Sequence, residues 1–446
     1  MLKSVLMRRL YSLLWWLVLP LLPLRLWWRG RREPGYRAFR GERFGWYGER
    51  EPRLGDRVLW IHAVSLGETR AVAPLVERLL RDAPSRTIVL THMTATGREA
   101  GRALFGDRVV QAWLPYDIRF AVRNFLGHFR PTVGLLVETE LWPNLTLEAT
   151  CRNVPLLLIN ARLSERSARG YRRVASLSHP LFEALSGAAA QSAADAQRLR
   201  DLGAHDVVVT GNMKFDVVVP DAQLERARLL RDRFGSGRPV LLLASTREGE
   251  EALLLDSLPL ARSSLPPRTL IVLVPRHPQR FDAVADLLEA RAIRYVRRSA
   301  ELRVPEDSLV VLGDSMGELL AYYVAADVAF VGGSLLPLGG QNLIEAIAAD
   351  VPTLVGHHTF NFAESTEAAI AAGAAVRVAD ANQVFEAASR LLADESAREI
   401  IRASGRAFMA AHRGATDRLW SWLAPRLAQA AVASAGARAS PRTSSR

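Results

Sequence analysis

Short apolar runs alternate with amphipathic stretches along most of this chain. Between Arg57 and Pro220 the apolar runs are separated by helical stretches such as Glu68–Leu80, Ile118–Phe129 and Ala193–Leu202. This alternation is typical of βαβ units, which form a parallel sheet covered on both faces. The predicted strands of this first series are Val58–Ala63, Thr87–Thr91, Val109–Ala112, Val133–Glu138, Pro155–Asn160, Ala188–Gln191 and Val207–Thr210.

A second series of the same kind follows the polar, arginine-rich stretch Asp221–Arg238. Its predicted strands are Val240–Ala244, Thr269–Val274, Ile293–Val296, Leu309–Leu312, Val328–Val331, Thr353–Val355 and Ala375–Val378. The fold class is therefore α/β, with two doubly wound Rossmann-like domains in tandem. The expected organisation is an anchor with a basic flank (1–32), a first domain (33–220), a second domain (221–405), a helix packing back (406–430) and a disordered tail (431–446).

The N-terminal run Leu10–Leu24 is apolar except for Ser12 and is flanked by arginines. As a helix it spans about 22 Å, or about 28 Å when extended to Trp28, against a hydrocarbon core of about 30 Å. We expect a single membrane anchor that either spans or half-inserts. Its removal is expected to weaken membrane association and to spare the active site.

The positive charge is concentrated at the ends of the chain. The net charge is +12, of which residues 1–53 carry +8 and Ser434–Arg446 carry +3. This distribution favours an anionic membrane surface as a partner over a nucleic acid. More basic residues follow the apolar run than precede it, so the bulk of the protein is expected in the cytoplasm. The single cysteine, Cys151, excludes an internal disulfide and a cysteine-rich zinc site.

Residues 327–346, DVAFVGGSLLPLGGQNLIEA, predict a strand, a glycine-rich loop and a helix over Gln341–Ala349. Glycines allow close backbone approach, and a helix start offers free N–H groups, so the segment suits an anion. Asn342 and Glu345 could hold the two hydroxyls of a ribose. The alternative is a plain βα turn with a capped helix, and there is no G-x-G-x-x-G fingerprint. In Pro275-Arg276-His277-Pro278 two prolines frame a cationic pair suited to phosphate, or a turn that leads into a helix.

The first series ends several strands in acidic residues. Glu68 opens a helix as V-S-L-G-E, where it is either a capping-box carboxylate paired with Ser65 or a general base kept ionised by the helix dipole. Glu138 and Glu140 follow an apolar strand. Two carboxylates at this place are either functional or part of a solvated turn. Lys214 is one of two lysines among 58 basic residues. Such a lysine is either a required point charge or a plain surface residue.

Gly313-Asp-Ser315-Met-Gly317 matches the G-x-S-x-G nucleophile elbow of serine hydrolases. His357, His358 or His412 could complete a triad, but no H-G-G-type oxyanion loop precedes the motif. A metal is not expected, because the chain has neither H-E-x-x-H nor a D-x-D pair of the kind that carries a divalent ion with a nucleotide sugar. A Walker A motif is excluded because neither lysine follows a glycine.

Taken in order, these segments resemble one family, the Kdo (3-deoxy-D-manno-octulosonic acid) transferases of lipopolysaccharide biosynthesis. The resemblance runs from the apolar N-terminus to about residue 430. The matching segments are HAVSLGE (62–68), THMTATG (91–97), LVETELWPN (136–144), INARLS (159–164), GNMKFD (211–216), PRHP (275–278), GDSMGEL (313–319) and GGSLLPLGGQNLIEA (332–346).

The resemblance implies a glycosyltransferase B fold, with an acceptor domain and a donor domain facing a cleft. It implies inverting, metal-independent transfer of Kdo from CMP-Kdo to a lipid A precursor (lipid IVA) at the cytoplasmic face of the inner membrane, without a cofactor. Glu68 then matches the general base, and Glu138 and Lys214 match groups that stabilise the transition state. The positions that match CMP-binding segments are Arg276, His277, Met316, Gly317, Glu318, Asn342, Leu343, Ile344 and Glu345. The alternatives are another B-fold nucleotide-sugar transferase or epimerase, the serine hydrolase, and a non-catalytic binder of membrane surfaces.

Overall fold

The computed structural model describes residues 2–48, 57–235 and 237–439. Backbone contacts divide the chain into two compact units. Unit 1 comprises the chain up to Asp216 together with the residues from Gly414 onward, and unit 2 comprises Val217–Arg413. The predicted boundaries at residues 220 and 405 therefore differ from those of the structure by four and eight residues.

The second boundary is marked by a helix break at Gly414. Gly414 has φ +85°, and the Asp216 carboxylate accepts hydrogen bonds from the backbone N–H groups of Gly414, at 2.7 Å, and Thr416. An acidic side chain there satisfies N–H groups that lack a partner within the helix. The last helix therefore starts on unit 1, where it buries Leu419 and Leu423.

Unit 1 contains a seven-stranded parallel sheet, and each predicted strand of the first series is found with its ends shifted by at most one residue. Its strands are β1 Val58–His62, β2 Thr87–His92, β3 Val110–Trp113, β4 Val133–Val137, β5 Leu156–Ala161, β6 Gly187–Ala190 and β7 Val207–Val209. Its helices are α1 Leu2–Val18, α2 Leu22–Arg32, α3 Leu66–Asp82, α4 Ala95–Phe105, α5 Arg119–Phe129, α6 Pro143–Cys151, α7 Glu165–Arg173, α8 Ala175–Glu183 and α9 Ala193–Asp201, with α18 Ala415–Ala439 added after unit 2.

The strand order in unit 1 is β3-β2-β1-β4-β5-β6-β7. Every residue of β1, β4 and β5 is buried, because helices cover both faces of the sheet. The apolar residues form one cluster on each face, one around Trp60 and Phe125 and the other around Ile61 and Leu423. The order reverses between β1 and β4, which places a crevice at their carboxyl ends.

Unit 2 contains a second parallel sheet, in the order β10-β11-β9-β8-β12-β13-β14, and its predicted strands are found to within two residues. Its strands are β8 Val240–Thr246, β9 Leu270–Pro275, β10 Tyr295–Arg297, β11 Val310–Leu312, β12 Val328–Val331, β13 Thr353–Val355 and β14 Ala375–Arg377. Its helices are α10 Asp221–Phe234, α11 Glu250–Ala261, α12 Phe281–Ala290, α13 Leu319–Ala325, α14 Ile344–Ala348, α15 Ala363–Ala371, α16 Ala381–Ala393 and α17 Glu395–His412. The switch point lies between β8 and β12.

Two expected elements differ from the structure. The helix predicted over Gln341–Ala349 is only the five-residue α14, because Gly339 and Gly340 have positive φ and the loop continues through Asn342. In the expected disordered tail, residues 431–439 belong to α18. Alanine is the strongest helix former, and it dominates this stretch. Residues 440–446 lie outside the described part of the chain.

The N-terminal helices pack on unit 1 along one side. Leu22 and Leu26 are buried in a cluster with Tyr36, Trp113 and Tyr116. Leu6–Arg31 is also the one described helical segment that is long and apolar enough to cross a membrane, by length and composition, with a mean hydropathy of 1.4.

Candidate active site

The predicted catalytic residues of unit 1 lie at the carboxyl ends of its strands. Glu68 is in the first turn of α3, which follows β1, and Glu138 directly follows β4. Lys214 lies in a short 3-10 turn, Met213–Phe215, after β7. Because β1 and β4 flank the switch point, the sheet brings the two glutamates to one edge.

Glu68 has the hydrogen bonds of a helix-capping residue. Its Oε2 accepts the backbone N–H of Val64 at 2.8 Å, and its Oε1 accepts the hydroxyl of Ser65 at 2.9 Å. The Ser65 hydroxyl oxygen in turn accepts the backbone N–H of Glu68. The geometry therefore matches the capping alternative. A carboxylate has about four acceptor positions, so these two hydrogen bonds leave Glu68 able to accept further hydrogen bonds.

Glu68 is also electrostatically unusual. Burial and the charge of Glu138 raise its pKa from 4.5 to about 8, against the opposing hydrogen bonds from Val64 and Ser65. A smaller contribution from Glu140 acts in the same direction. Burial and the charge of Glu138 therefore favour the neutral carboxyl, and together they outweigh the groups that favour its ionised form.

Glu138 is held in place by Lys214. The Lys214 Nζ lies 2.9 Å from Glu138 Oε1, and both side chains are largely buried. Glu138 also has φ +63°, a left-handed conformation that a glutamate adopts only when its surroundings impose it. Strained residues of this kind are frequent at functional sites, so the pair is a fixed element of the site.

In unit 2 the glycine-rich loop after β12 lies directly against β8. A Cβ on Gly332 would come within 2.7 Å of the Thr246 Cα and 2.8 Å of the Ser245 carbonyl oxygen. Gly333 follows with φ +71°. Only glycine permits this approach and this backbone path.

A buried carboxylate occupies the N–H groups of that loop. Glu250, which is 0% exposed, accepts the backbone N–H of Gly333 at 2.6 Å, of Ser334 at 2.9 Å and of Leu335 at 2.9 Å. It also accepts the backbone N–H of Arg247 at 2.9 Å. These N–H groups therefore bind a side chain of the protein, and the phosphate expected at the loop needs other partners.

The other predicted donor residues meet on the same sheet edge. Arg276 Nε donates to Gln341 Oε1 at 3.2 Å, and the next residue, Asn342, donates to Glu345 Oε1 at 3.4 Å. Burial and the positive charges of Arg276 and Arg247 lower the pKa of His277. The lowered pKa favours the neutral imidazole, and the positive charge that acts on it comes from Arg276 and Arg247.

Leu343 and Ile344 were expected among the CMP-binding positions. Both side chains are buried in unit 2, so they can contribute to a ligand site only through their backbone. Their burial fixes α14 to the sheet and thereby positions Asn342 and Glu345.

The segment Met316–Glu318 forms a second cluster, after β11. Glu318 Oε1 lies 3.0 Å from Arg298 and 3.4 Å from Arg226, and the Met316 side chain is 58% exposed. The carbonyl of Gly317 accepts a hydrogen bond from Gln223 at 3.1 Å. The cluster presents an apolar side chain beside polar groups at the edge where β9 ends.

The geometry of this segment does not support a serine hydrolase. The Ser315 hydroxyl donates to the Glu318 carboxylate and lies 3.0 Å from the Tyr322 hydroxyl. A nucleophile elbow strains its serine, whereas here the positive φ belongs to Gly317.

Two residues at this edge, Glu250 and Arg247, were missed by sequence reasoning. Arg247-x-x-Glu250 is not a capping box, because Glu250 is the first residue of α11 and Gly249 is its N-cap. The local signal for Glu250 is the pair of acidic residues, Glu250 and Glu251, in the first turn of a helix that follows a strand. Within residues 2–48, 57–235 and 237–439, no group of three or more His, Cys, Asp or Glu side chains is placed to hold a metal ion.

The two units, each with a parallel seven-stranded sheet, have the fold of the glycosyltransferase B type. A solved glycosyltransferase from Rickettsia africae superposes with a TM-score of 0.53, covering 84% of this chain and 98% of that chain at 12% identity. At this level of identity the likeness shows the fold.

Comparison of sequences gives the family. Residues 39–217 match the model of the 3-deoxy-D-manno-octulosonic-acid transferase (Kdo transferase) family. The 3-deoxy-D-manno-octulosonic acid transferase of Bordetella pertussis is 47% identical over 421 residues, covering 91% of this chain and 96% of that protein. That of Haemophilus influenzae is 38% identical over 403 residues, covering 89% and 93%. The chain belongs to the 3-deoxy-D-manno-octulosonic acid transferase family.

Proposed function

We propose that the protein transfers Kdo from CMP-Kdo to a sugar hydroxyl of a lipid A precursor, with inversion at the anomeric carbon. The observation that carries this function is the Glu68 carboxyl, buried beside Glu138 with its pKa raised to about 8, in a chain 47% identical to a Kdo transferase. A base whose pKa lies near the working pH is well matched to removing a hydroxyl proton.

In the reaction, the acceptor hydroxyl loses its proton to Glu68 as its oxygen attacks the anomeric carbon of Kdo. The bond from that carbon to the phosphate oxygen breaks, and CMP leaves with the electron pair. Positive charge develops on the donor sugar, where the Glu138 carboxylate, fixed by Lys214, stabilises it. Arg276, together with Arg247, stabilises the negative charge that grows on the phosphate.

The nucleotide is bound by unit 2. The adjacent amide and carboxylate of Asn342 and Glu345 have the donor and acceptor groups that a ribose diol requires. Met316 and the Glu318 cluster are assigned to the remainder of the CMP moiety. Glu250 holds the start of the glycine-rich loop through the backbone N–H groups of Gly333, Ser334 and Leu335.

The N-terminal helices are assigned to the cytoplasmic face of the inner membrane. One side of α1 packs on unit 1, while the other exposes apolar side chains, Leu17 being 67% exposed. Helix α1 contacts α8. The helix before α8, α7, carries four exposed arginines, Arg166, Arg169, Arg172 and Arg173. An apolar face beside basic residues suits a helix that lies half-inserted at an anionic surface.

Incubation with CMP-Kdo and tetraacylated lipid A precursor tests the activity. We expect CMP release and an acceptor that gains the mass of Kdo. Absence of both products from folded, CMP-binding protein would refute the proposed reaction.

Sedimentation with anionic vesicles tests the membrane assignment. Leu17→Glu is expected to lower the fraction of protein that binds the vesicles, and an unchanged bound fraction would contradict the assignment.

A further inference from the structure

The N-terminal helix is hydrogen-bonded to the part of unit 1 that carries the acidic loop, residues 138–142, with Glu138 and Glu140. The Tyr11 hydroxyl donates to Asp117 Oδ2 at 2.9 Å, and the Ser12 hydroxyl donates to Asn144 Oδ1 at 3.1 Å. The ring of Trp15, one turn along the helix from Tyr11, lies 5.9 Å from that of Tyr116. An anchor that served only to tether the protein would need none of these contacts.

Asp117 caps the helix that follows the acidic loop. It is 3% exposed, and its carboxylate accepts the backbone N–H groups of Asn144 at 2.9 Å and Leu145 at 2.8 Å. Its own carbonyl accepts the Asn144 side-chain amide at 2.6 Å. The residue at the start of α6, Trp142, provides no side-chain cap. The N-terminus of α6 therefore depends on Asp117 from a distant segment.

The loop 138–142 runs from the end of β4 to the start of α6. At its first end the backbone N–H of Glu138 donates to the Ile159 carbonyl at 3.0 Å, and the Thr139 hydroxyl donates to the Arg162 carbonyl. At its second end the fixed point is Asp117. The loop carries Glu138 and Glu140, so the Asp117 cap influences where both carboxylates lie.

We infer that Tyr11 and Asp117 are positioning residues, through which docking of the N-terminal helix holds the loop 138–142 in its active arrangement. This inference rests on the proposed function. The same segment then serves two purposes, since its outer face meets the membrane while its inner face orders the acceptor side of the site. This coupling differs from the expectation that removing the anchor spares the active site, and the two make opposite predictions.

The test is Tyr11→Phe, with Tyr47→Phe as the matched control. Tyr47 donates its hydroxyl to the Trp113 carbonyl at 3.1 Å, so both variants lose one tyrosine hydrogen bond within unit 1. For Tyr11→Phe we expect faster amide hydrogen exchange in residues 138–146. We also expect kcat, measured with a water-soluble acceptor and without vesicles, to fall about two- to tenfold, which is the effect of losing one buried hydrogen bond. We expect Tyr47→Phe to change neither, and vesicle binding to stay the same in both variants.

The pH profile of kcat separates positioning from a general loss of stability. The charge of Glu138 raises the pKa of Glu68, so a displaced loop is expected to shift the rising limb of the profile to lower pH. The inference would be overturned if Tyr11→Phe left amide hydrogen exchange in residues 138–146 unchanged. It would also be overturned if the variant changed neither kcat nor the pH at which kcat rises. Hydrogen exchange needs no turnover, so it decides the question even when wild-type protein transfers no Kdo, a result that would refute only the proposed function.

Discussion

Glu68 in unit 1 and Glu250 in unit 2 occupy equivalent places in the two sheets. Each follows the strand at the switch point, β1 or β8, and each lies in the first turn of the next helix. Both carboxyl groups are buried, and both accept a backbone N–H from the preceding turn, Glu68 from Val64 and Glu250 from Arg247. Position and burial alone do not distinguish the two.

Their surroundings do distinguish them. Glu250 accepts four backbone N–H bonds and is 0% exposed, so its oxygens are fully occupied. Glu68 accepts two hydrogen bonds, is 9% exposed and has Glu138 as a neighbour of like charge. A buried carboxylate with unused acceptor capacity and a raised pKa can exchange a proton, whereas a saturated one organises backbone. We therefore assign chemistry to Glu68 and loop geometry to Glu250.

The largest effect is expected for Glu68→Gln. The amide keeps an acceptor for the Val64 N–H but removes the base, so Kdo transfer is expected to fall by about 10²- to 10⁴-fold. Affinity for CMP, measured by calorimetry, is expected to be unchanged. The control is Ser65→Ala, which removes the capping hydroxyl but leaves the carboxylate, and should retain most of the rate. Near-normal turnover by Glu68→Gln would reduce Glu68 to a cap and remove the distinction from Glu250.

Glu250→Gln is expected to act on structure and donor binding. The amide nitrogen that replaces one oxygen is itself a donor, so it cannot accept hydrogen bonds from the backbone N–H groups of the loop. Each buried N–H group left without an acceptor costs about 1–3 kcal/mol. We expect a lower unfolding temperature and weaker CMP binding. Glu251→Gln is the matched control, since Glu251 is equally buried but is held by one long hydrogen bond, from Thr246 at 3.3 Å, and by an ion pair with Arg280 at 3.5 Å. Equal effects of the two substitutions would mean that the N–H bonds of the loop do not set its shape.

The strands, and with them the placement of Glu68 and Glu138 after strand ends, could be predicted from sequence because they depend on local pattern. A strand buried on both faces is an unbroken apolar run, as in β1 and β8, and polar residues at its carboxyl end stand out. The glycine-rich loop was also predicted, but not the group that occupies it. That group, Glu250, lies 83 residues before Gly333, and no local pattern connects the two.

The pKa of Glu68 could not be predicted from sequence for the same reason. The capping motif correctly indicates hydrogen bonds to Glu68, and these lower its pKa. Burial by the surrounding unit and the charge of Glu138, which is distant in sequence, act in the opposite direction and prevail. The contact of Tyr11 with Asp117 likewise joins segments 106 residues apart.

The pH dependence of the rate sharpens the contrast between the two glutamates. In the proposed reaction ionised Glu68 is the active form, so kcat/KM is expected to rise with pH through the Glu68 pKa of about 8 and to level off above it. Glu138→Gln removes the like charge and should move this limb to lower pH. The raised pKa of Glu68 also makes the free energy of unfolding depend on pH. The stabilising contribution of Glu68 is fully present below pH 4.5 and is lost as the pH rises through about 8. A flat profile between pH 6 and 8 would contradict the assignment of the base.

The smallest effect is expected for Ser315→Ala, which asks whether unit 2 performs any covalent chemistry. The Ser315 hydroxyl donates to Glu318, so its loss removes one hydrogen bond to a charged group, worth about 1.5–3 kcal/mol at most. Because Arg298 and Arg226 continue to hold that carboxylate, we expect weaker CMP binding and a nearly unchanged kcat at saturating donor. Glu318→Gln, which disturbs both arginine contacts, should weaken CMP binding more. Complete loss of turnover in Ser315→Ala with normal CMP binding would instead identify Ser315 as a nucleophile, and unit 2 would then share the chemistry assigned here to Glu68.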